Sequence, residues 1–542
     1  MRETDQSLWY KDAVFYEVYV RAFSDSNDDG HGDLPGLTQK LDYLQELGVD
    51  VIWLLPIYPS PLEDDGYDIS DYYGILPEYG TLNDFQEFIE ATHRRGMRVI
   101  TDLVLNHTSD QHPWFQAARK DPHSPYRDYY VWSDTDQKYK DARIIFVDTE
   151  DSNWTWDEQA GQYFWHRFYS TQPDLNYDNP AVQDEMIKIM RFWLELGIDG
   201  FRADAVPYLF EREGTNCENL AETHAYLKRI RRFMDEIYPG RILLAEANQW
   251  PEDVLPYFGD EDEFHMGFHF PMMPRLYMAL RQSNSKPLVD ILARTPAIPQ
   301  TSQWGIFLRN HDELTLEMVT EVEREWMWQE YAPNPRMRLN LGIRRRLAPL
   351  LDNDERKIAL MNSVQFTLAG SPIIYYGDEI GMGDNIWLSD RNGVRTPMQW
   401  NDQMNAGFST ADVSKLYAPV VGDDVFGYTK INVEDLQSDP ESLFWLIRRM
   451  IAVRKQHRVF GRGNFRWVSC GTEQVAAYLR SSPAEQLLII NNLSANTQTI
   501  ESLLPHWQEG VLHDLLTGAQ FPVYGGVLAL TLTPYQYLWL AR

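Results

Sequence analysis

Arg98-Val99-Ile100-Thr101-Asp102-Leu103-Val104-Leu105-Asn106-His107 is the stretch on which the fold turns. It is mostly apolar on both alternating faces and becomes polar only at its end, the pattern of a strand buried on two sides whose C-terminus opens onto a site. Seven similar runs lie on either side of it. They are Ala13 to Val20, Val49 to Ile57, Asp199 to Val206, Ile242 to Asn248, Phe264 to Phe270, Trp304 to Asn310 and Ser371 to Gly381, with Phe264 to Phe270 the weakest. Amphipathic stretches separate many of them. Leu37, Leu41, Leu44 and Leu47 fall on one helical face that Gly48 stops, and Thr81 to Asp84 has the form of a capping box. Asn179-Pro180 places a cap and a first-turn proline before Met186, Ile189, Met190 and Trp193. Strand and helix alternating eight times predicts an α/β fold, a (β/α)8 TIM barrel. Counting alone does not exclude a doubly wound open sheet.

Three intervals break the rhythm and set the domain plan. The barrel's first part spans residues 1 to 107, and residues 108 to 177, long, aromatic and polar, read as a subdomain inserted after strand 3. The second part spans 178 to 460, with a helical excursion at about 313 to 354. From 461 to 542 short alternating runs such as Gln474 to Leu479 predict a C-terminal antiparallel β-sandwich. The Arg344-Arg345-Arg346 cluster reads as an interface or an exposed face.

The formal net charge of −31, from 80 acidic and 49 basic residues, argues against nucleic acid or an anionic membrane as partner. A neutral sugar is indifferent to that field. Cys217 and Cys470 are the only cysteines, which predicts no disulfide and a reducing compartment. The charged N-terminus, Met1 to Asp5, and the lack of any run of about 18 apolar residues predict a cytoplasmic protein.

Four runs end in chemistry-bearing residues: Asp102 to His107, Gly200 to Asp204, Leu244 to Asn248 and Arg309 to Asp312. Singly, each has a structural reading, since an Asp after a strand commonly caps a helix and a lone His commonly satisfies a local hydrogen bond. Carboxylates, histidines and an arginine at successive strand ends have no shared structural purpose. These segments resemble the four signature regions of the α-amylase family of glycoside hydrolases. Gln172-Pro173-Asp174-Leu175-Asn176 and Arg395-Thr396-Pro397-Met398-Gln399-Trp400 extend the likeness to its oligosaccharide-processing members.

The resemblance implies Asp204 as nucleophile, Glu246 as general acid/base and Asp312 as the carboxylate that orients ring hydroxyls. Retaining glycosidases place two carboxyl groups about 5 to 5.5 Å apart, one attacking the anomeric carbon while the other protonates the leaving oxygen. Arg202, on the same strand face as Asp204, would keep the nucleophile ionised, and Glu246 needs a raised pKa. The resemblance also implies that His107 and His311 bond the glucosyl unit, that Asp64 and Arg395 grip its non-reducing end, and that Tyr67, Phe168 and Gln172 complete the binding set.

Asp25-Ser26-Asn27-Asp28-Asp29-Gly30-His31-Gly32-Asp33 has oxygen ligands at alternating positions around a turn, as a Ca2+ loop requires. The likeness to the family's loop names Asp25, Asn27, Asp29, the His31 carbonyl and Asp33 as structural calcium ligands. It implies a further calcium at Asn106, Asp174, the Tyr208 and Leu209 carbonyls, and Glu211.

Leu243 to Pro251 and Tyr331 to Asn340 are similar to the branch of the family that interconverts maltose and trehalose. That likeness implies an intramolecular isomerisation of the disaccharide through a covalent glucosyl intermediate, with some hydrolysis to glucose. It requires a closed pocket lidded by the inserted subdomain and the excursion. Arg143, Asn248, Tyr208, Glu313 and Glu317 are the candidates for holding the released glucose, Glu313 and Glu317 sharing a face if their segment is helical. An exo-acting α-glucosidase or sucrose-type hydrolase would share every catalytic residue, and an inactive relative serving as a binding subunit would tend to lose them. A homo-oligomer and association with a maltokinase are the partners the resemblance leaves open beside the sugar.

Overall fold

The structure is a computed structural model that describes residues 8 to 504 and 507 to 542; the Met1 to Asp5 stretch lies outside them. All eight expected runs form strands: β1 (Phe15–Val18), β2 (Val51–Leu54), β3 (Arg98–Val104), β4 (Gly200–Asp204), β5 (Ile242–Ala245), β6 (Met266–Phe268), β7 (Gln303–Phe307) and β8 (Ser371–Tyr375). Each pairs in parallel with its neighbours in sequence, and β8 closes on β1 through Phe15 opposite Ile373. The open-sheet alternative is thereby excluded. Apart from Arg98 at the outer end of β3, every barrel-strand residue is buried, which is why these runs carry so little alternation.

The connecting helices start and stop where their caps dictate. Thr81 and Asp84 exchange the reciprocal bonds of a capping box before the helix Leu82–Arg94, and the Asn179 side chain accepts from the Ala181 N–H at the head of Pro180–Glu195. The leucine face ahead of β2 belongs to two short helices, Leu34–Gln39 and Leu41–Leu47, broken at Lys40, and Gly48 ends the second at φ 96°.

The inserted subdomain holds the helix Pro113–Lys120 and a small antiparallel sheet of Trp132–Ser133, Trp154–Asp157 and Gln162–Trp165. The excursion after β7 corrects the helical expectation. Beside the helix Glu321–Tyr331 it carries a three-stranded sheet of Leu314–Thr315, Arg338–Leu339 and Gly342–Ile343. Strands of two residues have no readable period. The Arg344–Arg346 cluster is not an exposed face. Arg346 is buried and bonds the Tyr376 carbonyl (2.7 Å), Arg345 pairs with Asp384 (2.9 Å), and Arg344 bonds the Leu388 carbonyl (2.8 Å). The cluster rivets the excursion to the loop after β8.

From Asn464 onward eight antiparallel strands hydrogen-bond into one sheet that curls round its own core of Leu479, Leu488, Ile490, Leu528 and Leu540. Its other face presents Tyr478 and Trp539 to the barrel helix Glu355–Thr367, where they bond Thr367 (2.6 Å) and Ser363 (2.9 Å). Both cysteines are free and buried. Among the described residues no helix is long and apolar enough to cross a membrane.

Gly200 opens β4 against the main chain of β5, and a Cβ there would lie 2.3 Å from the Ile242 carbonyl oxygen. Neither strand can yield without breaking the ladder that aligns Asp204 with Glu246. Gly200→Ala should therefore lower the midpoint of thermal unfolding, at a cost of about 2 kcal/mol or more, as followed by calorimetry; an unchanged midpoint would refute this reading of the β4–β5 contact.

Candidate active site

The C-terminal ends of β4 and β5 meet at one buried guanidinium. Arg202 sends Nη1 to Asp204 Oδ1 (2.5 Å) and Asp102 Oδ1 (2.6 Å), and Nη2 to Glu246 Oε1 (2.7 Å). The alternation of a strand makes this possible, because Arg202 and Asp204 point to the same side of β4 while Asp102 stands opposite Arg202 on β3. Glu246 accepts from the N–H of Ala205, which is held at φ 51°, a strained conformation for a residue with a Cβ immediately after the proposed nucleophile. Contact with one shared guanidinium brings the two carboxyls together on one side of the barrel mouth, the arrangement a double displacement needs.

Electrostatics separate the two acids. Burial, with Asp204 and Asp312 nearby, lifts Glu246 to about 8 although Arg202 opposes it. Asp204 rises under the same burial only to about 6, with Arg202 again opposing the rise. Near neutral pH the first is mostly a protonated acid and the second mostly a carboxylate. Burial would also raise Asp312, but His311, Arg391 and Arg395 hold it well below the usual carboxylate range. His107 is pushed down to about 3 by burial and stands neutral beneath Phe168, its Nε2 3.2 Å from the Tyr67 carbonyl oxygen.

Asp204, Glu246, Asp312 and His107 line one cavity, of about 830 Å³ when the open space at its mouth is counted. Asp64, Tyr67, His107, Phe168, Asn248 and Glu313 all reach it, as do Glu317 and Tyr208. Tyr67 stacks on His311, ring centroids 5.4 Å apart. Glu313 and Glu317 share the cavity without sharing a helix, since Leu314–Thr315 between them is a strand.

Three expected sugar-binding residues lie elsewhere. His311 is fully buried behind Tyr67 and Asp312, and Arg395 is buried behind the cavity, paired with Asp65 (2.5 Å) and Asp312 (3.1 Å), so it does not join Asp64 on the cavity wall. The guanidinium that faces the cavity is that of Arg391, 3.0 Å from Asp312 and 2.9 Å from Glu313. Gln172 stands behind Asp64 and donates to its Oδ2 (2.8 Å). Sequence reasoning gave no site role to Arg391, Asp102 or Phe146. Arg391 carried one usable signal, a second arginine four residues before Arg395.

The mouth is bridged from three directions. Arg143 of the inserted subdomain pairs with Glu317 of the excursion (2.5 Å) and reaches the Tyr208 hydroxyl (3.3 Å), and Asn248 donates to Glu317 (3.4 Å) and Thr315 (3.2 Å). On the other side, the Asn340 N–H bonds Asp148 (2.7 Å).

Beneath the inserted subdomain three buried oxygens, Asn106 Oδ1, Asp174 Oδ2 and Glu211 Oε1, have no hydrogen-bond partner. Burial lifts Asp174 to about 8 although the Arg167 N–H and charge oppose it, and lifts Glu211 well above its ordinary value with Asp174 adding to the rise. Among the described residues no three His, Cys, Asp or Glu side chains gather into one metal-binding group. A cation beside Asp174 and Glu211 would therefore lean on an amide and carbonyls, a hard-oxygen set. In the 25–33 loop the oxygens are engaged. Asp25 accepts from the Asn27, Asp28 and Gly30 N–H groups, Asp29 from His31 N–H, and Asp33 caps the helix Leu34–Gln39 through Gly36 N–H.

Residues 17–463 match the model of the alpha amylase catalytic domain, and residues 465–539 that of the maltogenic amylase C-terminal domain. The chain belongs to the α-amylase family. It is 58% identical to the trehalose synthase/amylase TreS of Mycobacterium tuberculosis, over 98% of this chain and 90% of that protein. It is 54% identical to the trehalose synthase of Thermus thermophilus, over 98% of this chain and 55% of that one. Among solved structures, the trehalulose synthase MutB of Pseudomonas mesoacidophila superposes with a TM-score of 0.80 at 29% identity, covering 98% of this chain and 99% of that one.

Ionisation sets the pH dependence of this α-amylase-family site. With Asp204 as nucleophile and Glu246 as acid, as the family resemblance implies, kcat/KM should rise with pH through an apparent pKa near 6 and fall through one near 8. Glu246→Gln should remove the falling limb together with most of the rate; a pH-independent profile for the parent enzyme would contradict the assignment.

Proposed function

We propose that the protein is a trehalose synthase that converts maltose to trehalose within one closed pocket. The observation that carries this reading is the bridged mouth. Arg143, Glu317, Asn248 and Tyr208, drawn from four segments, bridge across the mouth of the cavity that holds the two carboxyls. An open cleft would serve a polymer, and a hydrolase has no need to exclude solvent. The relatives that carry the name trehalose synthase support it over nearly the whole chain.

The steps follow from the residues. Asp204 attacks the anomeric carbon while Glu246 gives its proton to the glycosidic oxygen, leaving a glucosyl ester on Asp204 and a free glucose beside it. Asp312 binds ring hydroxyls of the glucosyl unit, and Arg391 holds Asp312 ionised for that purpose. Glu246, now a carboxylate, is the base for the second displacement. If water enters, it takes the ester and two glucose molecules leave. If the mouth stays shut, the released glucose turns and returns through its own anomeric hydroxyl, and trehalose forms. Glu313, Glu317, Asn248, Tyr208 and Arg143 are the groups placed to hold that glucose while it turns.

Incubation of the protein with maltose in the presence of ¹³C-glucose tests this directly. Trehalose should be the main product and should contain almost no label, because the transferred and accepting units come from one maltose. Glucose as the sole product would favour the α-glucosidase reading, and labelled trehalose would show transfer to free glucose.

A structural calcium ion is also proposed, at Asn106, Asp174 and Glu211 with the carbonyls of Tyr208 and Leu209. The three unpartnered buried oxygens support it, because such groups are costly without a partner. The ion would tie β3, the end of the inserted subdomain and the segment after β4 together, and would take no part in bond making. A second ion at Asp25, Asn27, Asp29, the His31 carbonyl and Asp33 would have to share oxygens that already accept N–H bonds. Removal of calcium with EGTA should lower the Tm of the parent enzyme and leave Asp174→Asn, already at the lower value, unmoved; a Tm indifferent to EGTA in both would refute the site.

A further inference from the structure

Glu17, the third residue of β1, is fully buried in the barrel wall and lies outside the reaction scheme above. Its Oε1 contacts His311 twice, accepting the main-chain N–H (3.3 Å) and meeting Nδ1 in a short hydrogen bond, while its Oε2 has no partner. His311 is itself fully buried, and its other nitrogen, Nε2, faces the Tyr67 hydroxyl (2.8 Å) and Asp312 Oδ2 (3.2 Å).

The position of the protons follows from the partners. The Tyr67 hydroxyl donates its hydrogen to Asp102 Oδ2 (3.2 Å), so it can only accept from Nε2, and Asp312 is a carboxylate held by Arg391 and Arg395. Nε2 therefore carries hydrogen. Two states remain for the other side of the ring. Either Nδ1 is bare and accepts from a protonated Glu17, or Glu17 is a carboxylate beside an imidazolium. The second state leaves a fully buried charged carboxylate with one oxygen facing no donor, and Asp312 and Asp102 add negative charge nearby against the His311 N–H and Arg202. The first state satisfies Nδ1 and leaves a neutral acid.

We propose that Glu17 is a protonated carboxylic acid that donates to His311 Nδ1 and so locks the imidazole as the Nε2–H tautomer facing Tyr67 and Asp312. Glu17 touches no substrate and is a positioning residue for the reaction proposed above. Its role stands on the hydrogen-bond pattern alone and does not depend on whether the product is trehalose or glucose. Without the Nδ1 partner, the ring is free to move its hydrogen to Nδ1 and present a bare nitrogen to Asp312, opposing the carboxylate that orients the sugar.

Three measurements on the full chain decide it. In ¹⁵N-histidine-labelled protein at neutral pH, the His311 resonances, identified by their loss in His311→Asn, should show hydrogen on Nε2 and none on Nδ1. Glu17→Gln, whose amide N–H can still donate to Nδ1, should keep that pattern and stay within about threefold of the parent kcat on maltose. Glu17→Met, similar in size but without a donor, should lose the pattern and about 10- to 100-fold in kcat, as for loss of one oriented donor, with KM changed less. Hydrogen on Nδ1 in the parent enzyme overturns the proposal even if neither variant folds. So does a Gln variant as impaired as the Met variant, or a Met variant as active as the parent. Product analysis of the same samples separates this outcome from failure of the isomerase reading.

Discussion

Everything at the mouth of this barrel is organised around a single cation that has no access to water. Arg202 is almost completely buried and contacts three carboxyls at 2.5 to 2.7 Å. Taking a guanidinium and three acids out of water costs several kcal/mol for each charge unless the geometry returns it. Here the return is functional, because the arrangement makes two acids of similar intrinsic strength unlike one another. Asp204 contacts the nitrogen that also serves Asp102, whereas Glu246 has the other nitrogen to itself, and burial lifts Glu246 to about 8 but Asp204 only to about 6. One group keeps a proton and the other gives it up. The nucleophile and the acid of a retaining mechanism are thereby assigned by their surroundings.

The barrel supplies what that cation needs. Parallel strands buried on both faces fix Arg202, Asp204 and Asp102 in register, and the β4–β5 ladder places Glu246 within reach. The inserted subdomain and the excursion act at the opposite edge of the cavity, where Arg143 and Glu317 meet. Chemistry is thus set by rigid strands and solvent access by attached segments, a division that lets one scaffold serve hydrolysis or transfer by changing only its rim. The partly exposed Arg143–Glu317 pair is worth little as a stabiliser of the fold. Its value is positional.

The parts legible in the sequence were those governed by period and burial. Eight two-sided apolar runs gave the barrel, and polar residues at their ends gave Asp204, Glu246, His107, His311 and Asp312. Reading only strand ends also explains why Asp102, in mid-strand, escaped notice as the second partner of Arg202. The three consecutive arginines looked like surface because charge is usually exposed, but backbone carbonyls and Asp384 satisfy them inside the protein. The motif named Arg395 and gave Arg391 no role because a linear motif does not say which side chain faces the cavity; the short helical turn Asn392–Val394 between them decides it. The sheet in the excursion had no chance of being read, since its strands are two residues long.

The central claim is that Asp204 is the group that bonds to sugar carbon while Arg202 holds its charge. A fluorinated glucosyl donor that forms the ester quickly and releases it slowly tests this most directly, by mass spectrometry of peptides from the labelled enzyme. The account predicts a single glucosyl adduct on the peptide carrying Asp204, and none when Arg202 is replaced by Met. An adduct on any other carboxylate, or undiminished labelling without Arg202, would contradict it.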